Sequence, residues 1–497
     1  MTRVKMAVPE EIRSIPRPKN TVVIAYGPNK DKYAVKQRIG CRSVNGRKIP
    51  IDGPIIGHII DGAYVEDVGL PKMKVSECDH RRWADVQLCR DISQDLLSDL
   101  REIYDGKEAL RTYVISLLRT LEPDIKDYEL SSEYEDTWLS IIYPDVGLSK
   151  NTVSEHINQL GRTYSKVTAF MRKRVQSVNM QHHIAIDGTL KSDESIVNTF
   201  SDFSRKALKK NTRDISLVYA YDIETGEPVC CKAYPGNATD ISVFSDFIES
   251  NDLNRGIIVA DKGFSYSAAK RTIDSRNDLH FLIPLRRNSD SISKFRMYDY
   301  NSSVDGYQGL ACRKERMFDG KFLYSFRDAD IASVEEKDWI SKHSDYDPSE
   351  LAEHRKSFGS IVFISDLDLD PKTVYEAYEE RWDLEVMFRF YKNILCLDET
   401  RVHDDWSVLG TEFINFLSII ITCRLRKLFR SMESLKDVPY NHVLRKLRRA
   451  SKIRDPDGNW EIRKVTDKEK QMLVDLRLVP KPIEIKNPRG RPKKKTA

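Results

Sequence analysis

Apolar residues alternate or cluster in short runs at residues 183–190, at DISLVYAYD (214–222), EPVCCKAYP (227–235) and RGIIVA (255–260), and at HFLIPLRRN (280–288), which predicts five strands in the middle of the chain. Ile223, Glu224, Thr225 and Gly226 make a tight hairpin between the second and third, with Gly226 supplying a positive φ. Asp240 reads as the cap of a helix to about Ser250. Upstream, residues 85–177 repeat apolar positions at the helical period, as in DVQLCRDISQDLLSDLREIY and ALRTYVISLLRTL. Downstream, Asp370 and Pro371 open a helix whose Val374, Leu384 and Phe388 turn inward. The next helix, residues 406–429, is apolar in its middle, too short in its apolar stretch to span a bilayer, and is expected in the core.

The fold class that follows is α/β, a mixed sheet with helices packed on it. Residues 1–84 read as a β-rich region of short strands broken by Gly and Pro, a candidate DNA-end-binding module, and 85–179 as a helical region. In the latter, Ser149 caps a helix with Val153, Ile157 and Leu160 on one face. Lys150, Asn151, Ser154 and His156 are expected to stay free, the pattern of the second helix of a helix-turn-helix. The sheet-forming part splits into 180–288 and 360–430. The polar interval 289–359, with turns at Asp305-Gly306 and Asp319-Gly320 around KFLYSF, is too long for a loop and reads as a β-rich insertion.

With 497 residues, 40% hydrophobic and 32% charged, the chain holds several cores' worth of apolar residues. Its first twenty residues lack an apolar run of signal-peptide length. Eight cysteines without C-x-x-C pairs indicate neither a disulfide framework nor a zinc finger. The net charge of +5 is unevenly spread. Residues 431–497 carry 19 Lys or Arg against 9 Asp or Glu, a net +10, so the rest of the chain is net −5. A basic tail on a slightly acidic body suits local contact with nucleic acid. At its end NPRGRPKKK (487–495) reads either as a solvated tail or as an AT-hook, in which Arg489 and Arg491 would enter a narrow minor groove.

Candidate chemistry lies in YEAYEERWDLEVMFRFYKN. Tyr378, Arg381, Glu385 and Lys392 stand at offsets 0, 3, 7 and 14, within roughly 60° of one another on a helix. A carboxylate for a divalent metal beside cations for phosphate is what phosphoryl transfer on a polyanion requires. Two predicted strands end in further carboxylates, Asp187 before Gly188 and Asp261 before Lys262-Gly263. Oxygen-only ligands of this kind suit Mg²⁺ or Mn²⁺ rather than zinc. His182 and His183 precede Asp187 and stay outside the site, one of them expected buried and hydrogen-bonded. Trp382 is expected in the core, its other role being to stack on a base.

These residues resemble the DDE transposases of prokaryotic insertion sequences, in the group with a Tyr-x2-Arg-x3-Glu-x6-Lys signature. Tyr378, Arg381, Glu385 and Lys392 keep that spacing, AIDGT and VADKGF are similar to the two Asp blocks, and YPGNATD (234–240) is similar to the Pro-Gly-Asn stretch between them. The resemblance covers about residues 180–430 and implies a ribonuclease-H-like core. It further implies Asp187, Asp261 and Glu385 as catalytic ligands of two Mg²⁺ or Mn²⁺ ions, and Tyr378, Arg381 and Lys392 as grips on DNA phosphates. The implied reaction is cleavage at the transposon ends followed by joining of the 3′-OH to target DNA, by at least a dimer on DNA. The implied location is cytoplasmic and nucleoid-associated. A nuclease of the same fold that cuts without joining, or an inactive DNA-binding relative acting as a regulator, shares most of these features.

Overall fold

The structure, a computed structural model, describes residues 8–27, 31–44, 46–66, 79–193, 195–204, 212–260, 266–343, 345–400, 402–455, 457–463 and 465–481. The chain divides into two units, Met1–Asp79 and His80–Ala497. The first is an antiparallel sheet of β1 (Thr21–Tyr26), β2 (Lys32–Val44), β3 (Arg47–Ile60) and β4 (Ala63–Glu66) in that order. Val23, Val35 and Ile59 form its small core.

In the second unit the helices upstream of the sheet include α1 (Gly106–Leu121), capped by Asp105, and α2 (Lys150–Arg162), capped by Ser149. The central strands are β5 (His183–Asp193), β6 (Arg213–Asp222) and β7 (Glu227–Pro235). After α3 (Asp240–Ser250) come β8 (Arg255–Ala260) and β9 (Asp278–Pro284). They lie in the order β7, β6, β5, β8, β9. β6 is antiparallel to both β5 and β7, while β5, β8 and β9 run parallel. Gly226, at φ +73°, closes the hairpin from β6 to β7.

The interval 289–359 contributes β10 (Leu310–Arg316) and β11 (Phe322–Asp328), together with helices Ala329–Lys342 and Pro348–Arg355. It is therefore mixed rather than simply β-rich. Its strands do not stand apart: β11 pairs with β12 (Ser360–Ser365), and β12 pairs with β9. The insertion extends the central sheet outward.

After β12 the chain enters α4 (Pro371–Glu380), with Asp370 accepting a hydrogen bond from Lys372 N. It continues into α5 (Trp382–Arg389), a π-helical turn at Phe390–Ile394, and the 27-residue α6 (Asp405–Ser431). α6 is long and apolar enough to cross a membrane, yet 83% of its apolar window is buried inside the fold. It packs against α1, α2 and β7. Along α1 the contact is made by small polar residues, with Ser418 Oγ donating to Ser116 O and Thr120 Oγ1 donating to Ser418 O. Against α2 the backbones nearly touch at Gly161 and Gly410.

One hydrophobic core runs from Trp83 to Leu476 and takes in residues from the helical region, the sheet, α6 and the segment after it. The sequence boundaries at 179 and 430 therefore separate no cores. The C-terminal strand Ser451–Arg454 pairs with His80–Arg82.

Candidate active site

Asp187 lies midway along β5, half-buried and not at a strand end, on a strand that packs against α5. Ala260, the last residue of β8, is in parallel register with Ile186. The residues that follow this pair in the chain are Asp261 and Asp187. Asp261 lies outside the described residues.

Arg381 sits at the junction of α4 and α5 and is 7% exposed. Its Nη1 is 3.5 Å from Asp187 Oδ2 and its Nη2 is 3.1 Å from Glu385 Oε1. One buried guanidinium thus draws together a carboxylate from the sheet and one from the helix, whose side chains keep 22% and 33% of their surface exposed. Asp187 Oδ1 also accepts from Gly188 N at 2.7 Å. Two hard oxygen donors converging on a cationic centre while open to solvent fit Mg²⁺ or Mn²⁺ and offer nothing to a softer ion.

The other signature residues are arranged differently from a single stripe. Tyr378 packs its ring edge-on against Phe363 of β12, with centroids 4.8 Å apart, and beneath Arg381, whose guanidinium carbon is 5.4 Å from the ring centroid. It props the arginine. Lys392 falls within the π turn, whose wider winding rotates it off the line of Arg381 and Glu385. The charges acting on it are Asp398 and Asp214. Asp214 pairs with Ser192, five residues along β5 from Asp187, or roughly 17 Å at the rise of a strand. Burial lowers the Lys392 ammonium pKa and raises that of Asp214, each partly opposed by the other's charge.

Trp382 is 55% exposed and not a core aromatic. The reason is its phase: α5 buries Leu384, Met387 and Phe388, and Trp382 lies off that face. His156 is buried, not free, and lies 2.9 Å from Thr112 Oγ1. α2 accordingly spends its Val153, His156, Ile157 and Leu160 face on the rest of the fold, while Lys150, Asn151 and Ser154 remain exposed. Arg287 makes a 2.8 Å ion pair with Glu335 of the insertion. Arg489 and Arg491, and the AT-hook reading with them, lie outside the described residues.

Two groups escaped the sequence reading. His182, Asp222 and Glu224 bring one ligand atom each within 4.8 Å of one another. These atoms are already engaged: His182 Nδ1 with Asp222 at 2.8 Å, Thr225 N with Asp222 at 2.9 Å, and His183 N with Glu224 at 2.9 Å. The cluster pins the β6–β7 hairpin to the start of β5. The second group is a buried network behind the site. Lys191 Nζ of β5 donates to Glu412 of α6 at 2.7 Å, and Tyr391 of the π turn donates to the same carboxylate at 2.7 Å. Its only trace in the sequence is a lone acid inside an apolar helix.

Residues 180–421 match the family described as the transposase DDE domain. This match, over just under half of the chain, supports the DNA transposase as its class and DNA transposition as its function. Solved structures similar to it include the piggyBac transposase in a synaptic complex with hairpin DNA, at 14% identity over 75% of this chain and 82% of that one, with a TM-score of 0.39. The Mos1 transposase in a paired-end complex with the left transposon end is similar at 12% identity over 32% of this chain and 58% of that one, with a TM-score of 0.15. Both overlaps are loose, and the assignment rests on the family match. No curated protein matches the chain.

Proposed function

We propose that Asp187, Asp261 and Glu385 are the catalytic carboxylates of a ribonuclease-H-like core that cuts DNA at the transposon ends and joins the freed 3′-OH to target DNA. The observation that carries this reading is the convergence of Asp187 and Glu385 on Arg381. The sheet order supports it, with β5 central between an antiparallel pair and a parallel pair, and so does the register that ends β8 beside Asp187. The three carboxylates would hold two Mg²⁺ or Mn²⁺ ions, which when bound polarise the phosphodiester and favour deprotonation of the attacking oxygen.

The chain's own residues do the rest. In the first step water attacks phosphorus and the P–O3′ bond breaks, leaving a 3′-OH and a 5′-phosphate. In the second, that 3′-OH attacks a target phosphodiester and displaces a target 3′-oxygen. Arg381 leaves the carboxylates for a phosphate oxygen, a trade of one anion for another that costs little charge separation. Tyr378 holds Arg381 from below, and exposed Trp382 is free to stack on a base near the cut. Lys392, displaced along β5, grips a phosphate further from the scissile bond. Two ends must be cut and joined together, so at least two copies act on DNA. On the insertion-sequence reading the protein would work in the cytoplasm, at the nucleoid.

The test is a labelled linear fragment with the gene's flanking ends, incubated with a supercoiled target in Mg²⁺ or EDTA. Mg²⁺-dependent nicks at the ends with joined products are expected, lost in Asp187→Ala, Asp261→Ala and Glu385→Ala while end binding persists. Cleavage surviving in any one variant would remove that residue from the site. Nicks without joined products would make the protein a nuclease.

A further inference from the structure

β1 pairs with β2 only as far as Thr21 against Gln37, and β4 pairs with β3 only from Ile60 to Gly57. Among the described residues β2 and β3 then continue as a pair, from Arg38–Asp52, where Arg38 N still donates to Asn20 O, to Val44–Arg47 near the turn. The result is a two-stranded arm of residues 38–44 and 46–52, roughly 24 Å long at the rise of a strand. All its described residues are exposed or, at Gly53 just below, half-buried. A bare two-stranded ribbon is marginal in water, and this one also exposes Ile39, Val44, Ile49 and Ile51. Such an arm is built to be covered.

Its charge selects the cover. Arg38, Arg42, Arg47 and Lys48 face a single carboxylate, Asp52. Among the described residues no side-chain hydrogen bond or ion pair engages these four cations. The register also sorts the faces. Arg42 is opposite Ile49, Val44 opposite Arg47 and Gly40 opposite Ile51, so one face carries two arginines and a β-branched stripe. The other face carries Cys41 opposite Pro50 and Ser43 opposite Lys48. Register shifts at Lys36 and between Arg38 and Gly40 twist the ribbon as it leaves the sheet.

We propose that this arm is a DNA-binding element that lays its Arg42, Arg47, Ile49 and Ile51 face in the major groove of a duplex. A two-stranded ribbon fits a groove about 12 Å wide. Arginine on guanine O6 and N7, and branched methyls against thymine methyls, are the contacts such a face makes there. Gly40, with nothing within 4 Å of a Cβ built on it, leaves the floor of that face open beside Ile51. The inference rests on the transposase reading for the identity of its polyanion, and on the arm's own geometry for everything else.

The experiment uses the full chain and a fluorescent duplex carrying one flanking end, with a scrambled duplex as competitor. Arg42→Ala/Arg47→Ala is expected to weaken end binding about tenfold or more and to lose most of the preference over the scrambled duplex. Lys48→Ala, on the opposite face, is expected to leave the preference over the scrambled duplex unchanged. Guanine-N7 methylation should interfere with the wild type at positions that no longer matter in the double arginine variant. Unchanged affinity and interference in variants with wild-type melting temperatures would overturn the proposal. So would wild-type affinity for a single end with loss of a two-end complex, which would make the arm a contact between copies. The same preparations are assayed for Mg²⁺-dependent cleavage. A wild type that binds but does not cut would count against the catalytic reading and leave the arm result readable.

Discussion

Arg381 Nη1 lies 3.5 Å from Asp187 Oδ2, although 194 residues separate them in the chain. With Nη2 on Glu385, the guanidinium occupies the electrostatic position that a divalent ion would take between the same two carboxylates. In the site as proposed, metal and arginine would compete for these carboxylates until a phosphate drew the arginine away. Arg381→Met should bind Mn²⁺ about tenfold more tightly than the wild type in the absence of DNA, as measured by calorimetric titration, while losing end cleavage. Equal or weaker Mn²⁺ binding in the variant would mean that the two cations do not share a seat.

Glu412 accepts from Lys191 and Tyr391, and all three are buried. Glu412→Ala leaves the Lys191 ammonium without a counter-charge in the core. The expected loss is about 3–5 kcal/mol, seen as a marked fall in melting temperature. Lys191→Met/Glu412→Leu should recover much of it, because removing both charges removes the desolvation cost with them. Failure of the double variant to recover would assign the loss to packing instead.

A Cβ added at Gly410 would stand 1.9 Å from Ile157 O, and one added at Gly161 would stand 1.8 Å from Trp406 O. Both obstacles are backbone, which cannot rotate aside. Gly410→Ala should force α2 from α6 and cost at least the 1–3 kcal/mol or so typical of overpacking. A variant melting within about a degree of the wild type would mean that the helices part easily.

Burial holds the His156 imidazole down at about 4 against an ordinary value of 6.5. The unfolded chain takes up a proton in that window and the folded chain does not. The stability concerned is fully present above pH 6.5 and is lost as pH falls toward 4, by up to about 1.4 kcal/mol per unit. In His156→Gln this part of the acid sensitivity should vanish, so the melting curves of wild type and variant converge as pH drops from 7.5 to 4.5. Parallel curves would mean that the imidazole is not neutral in the fold.

Local chemistry made much of the fold legible. The alternation at 214–222 and 227–235 matches β6 and β7, Gly226 closes their hairpin, and Asp370-Pro371 opens α4. The sequence grouped Asp187 with Glu385, and the structure brings both to Arg381, although Asp187 stands mid-strand and not at the strand end the sequence suggested. What periodicity could not reach was tertiary. An ideal helix carries Lys392 onto the Glu385 face, but Tyr391 is pulled to Glu412 and the π turn opens to let it go. His156 looked free because the residue that claims it, Thr112, is 44 positions away. Trp382 looked buried because aromatic residues usually are, whereas its helix buries another side.

The insertion's β11 supplies the outer hydrogen-bonding partner of β12 along Phe322–Arg327, while β9 takes the inner side. Cutting out residues 289–359 would thus bare one whole flank of SIVFIS, a strand with no charge and every residue but Ile361 buried. An edge of that kind recruits other chains. The insertion is in this sense a selvedge, woven into the cloth it borders: its loops and helices are open to redesign, but a minimal transposase made by excising it would be expected to precipitate before its catalysis could be measured.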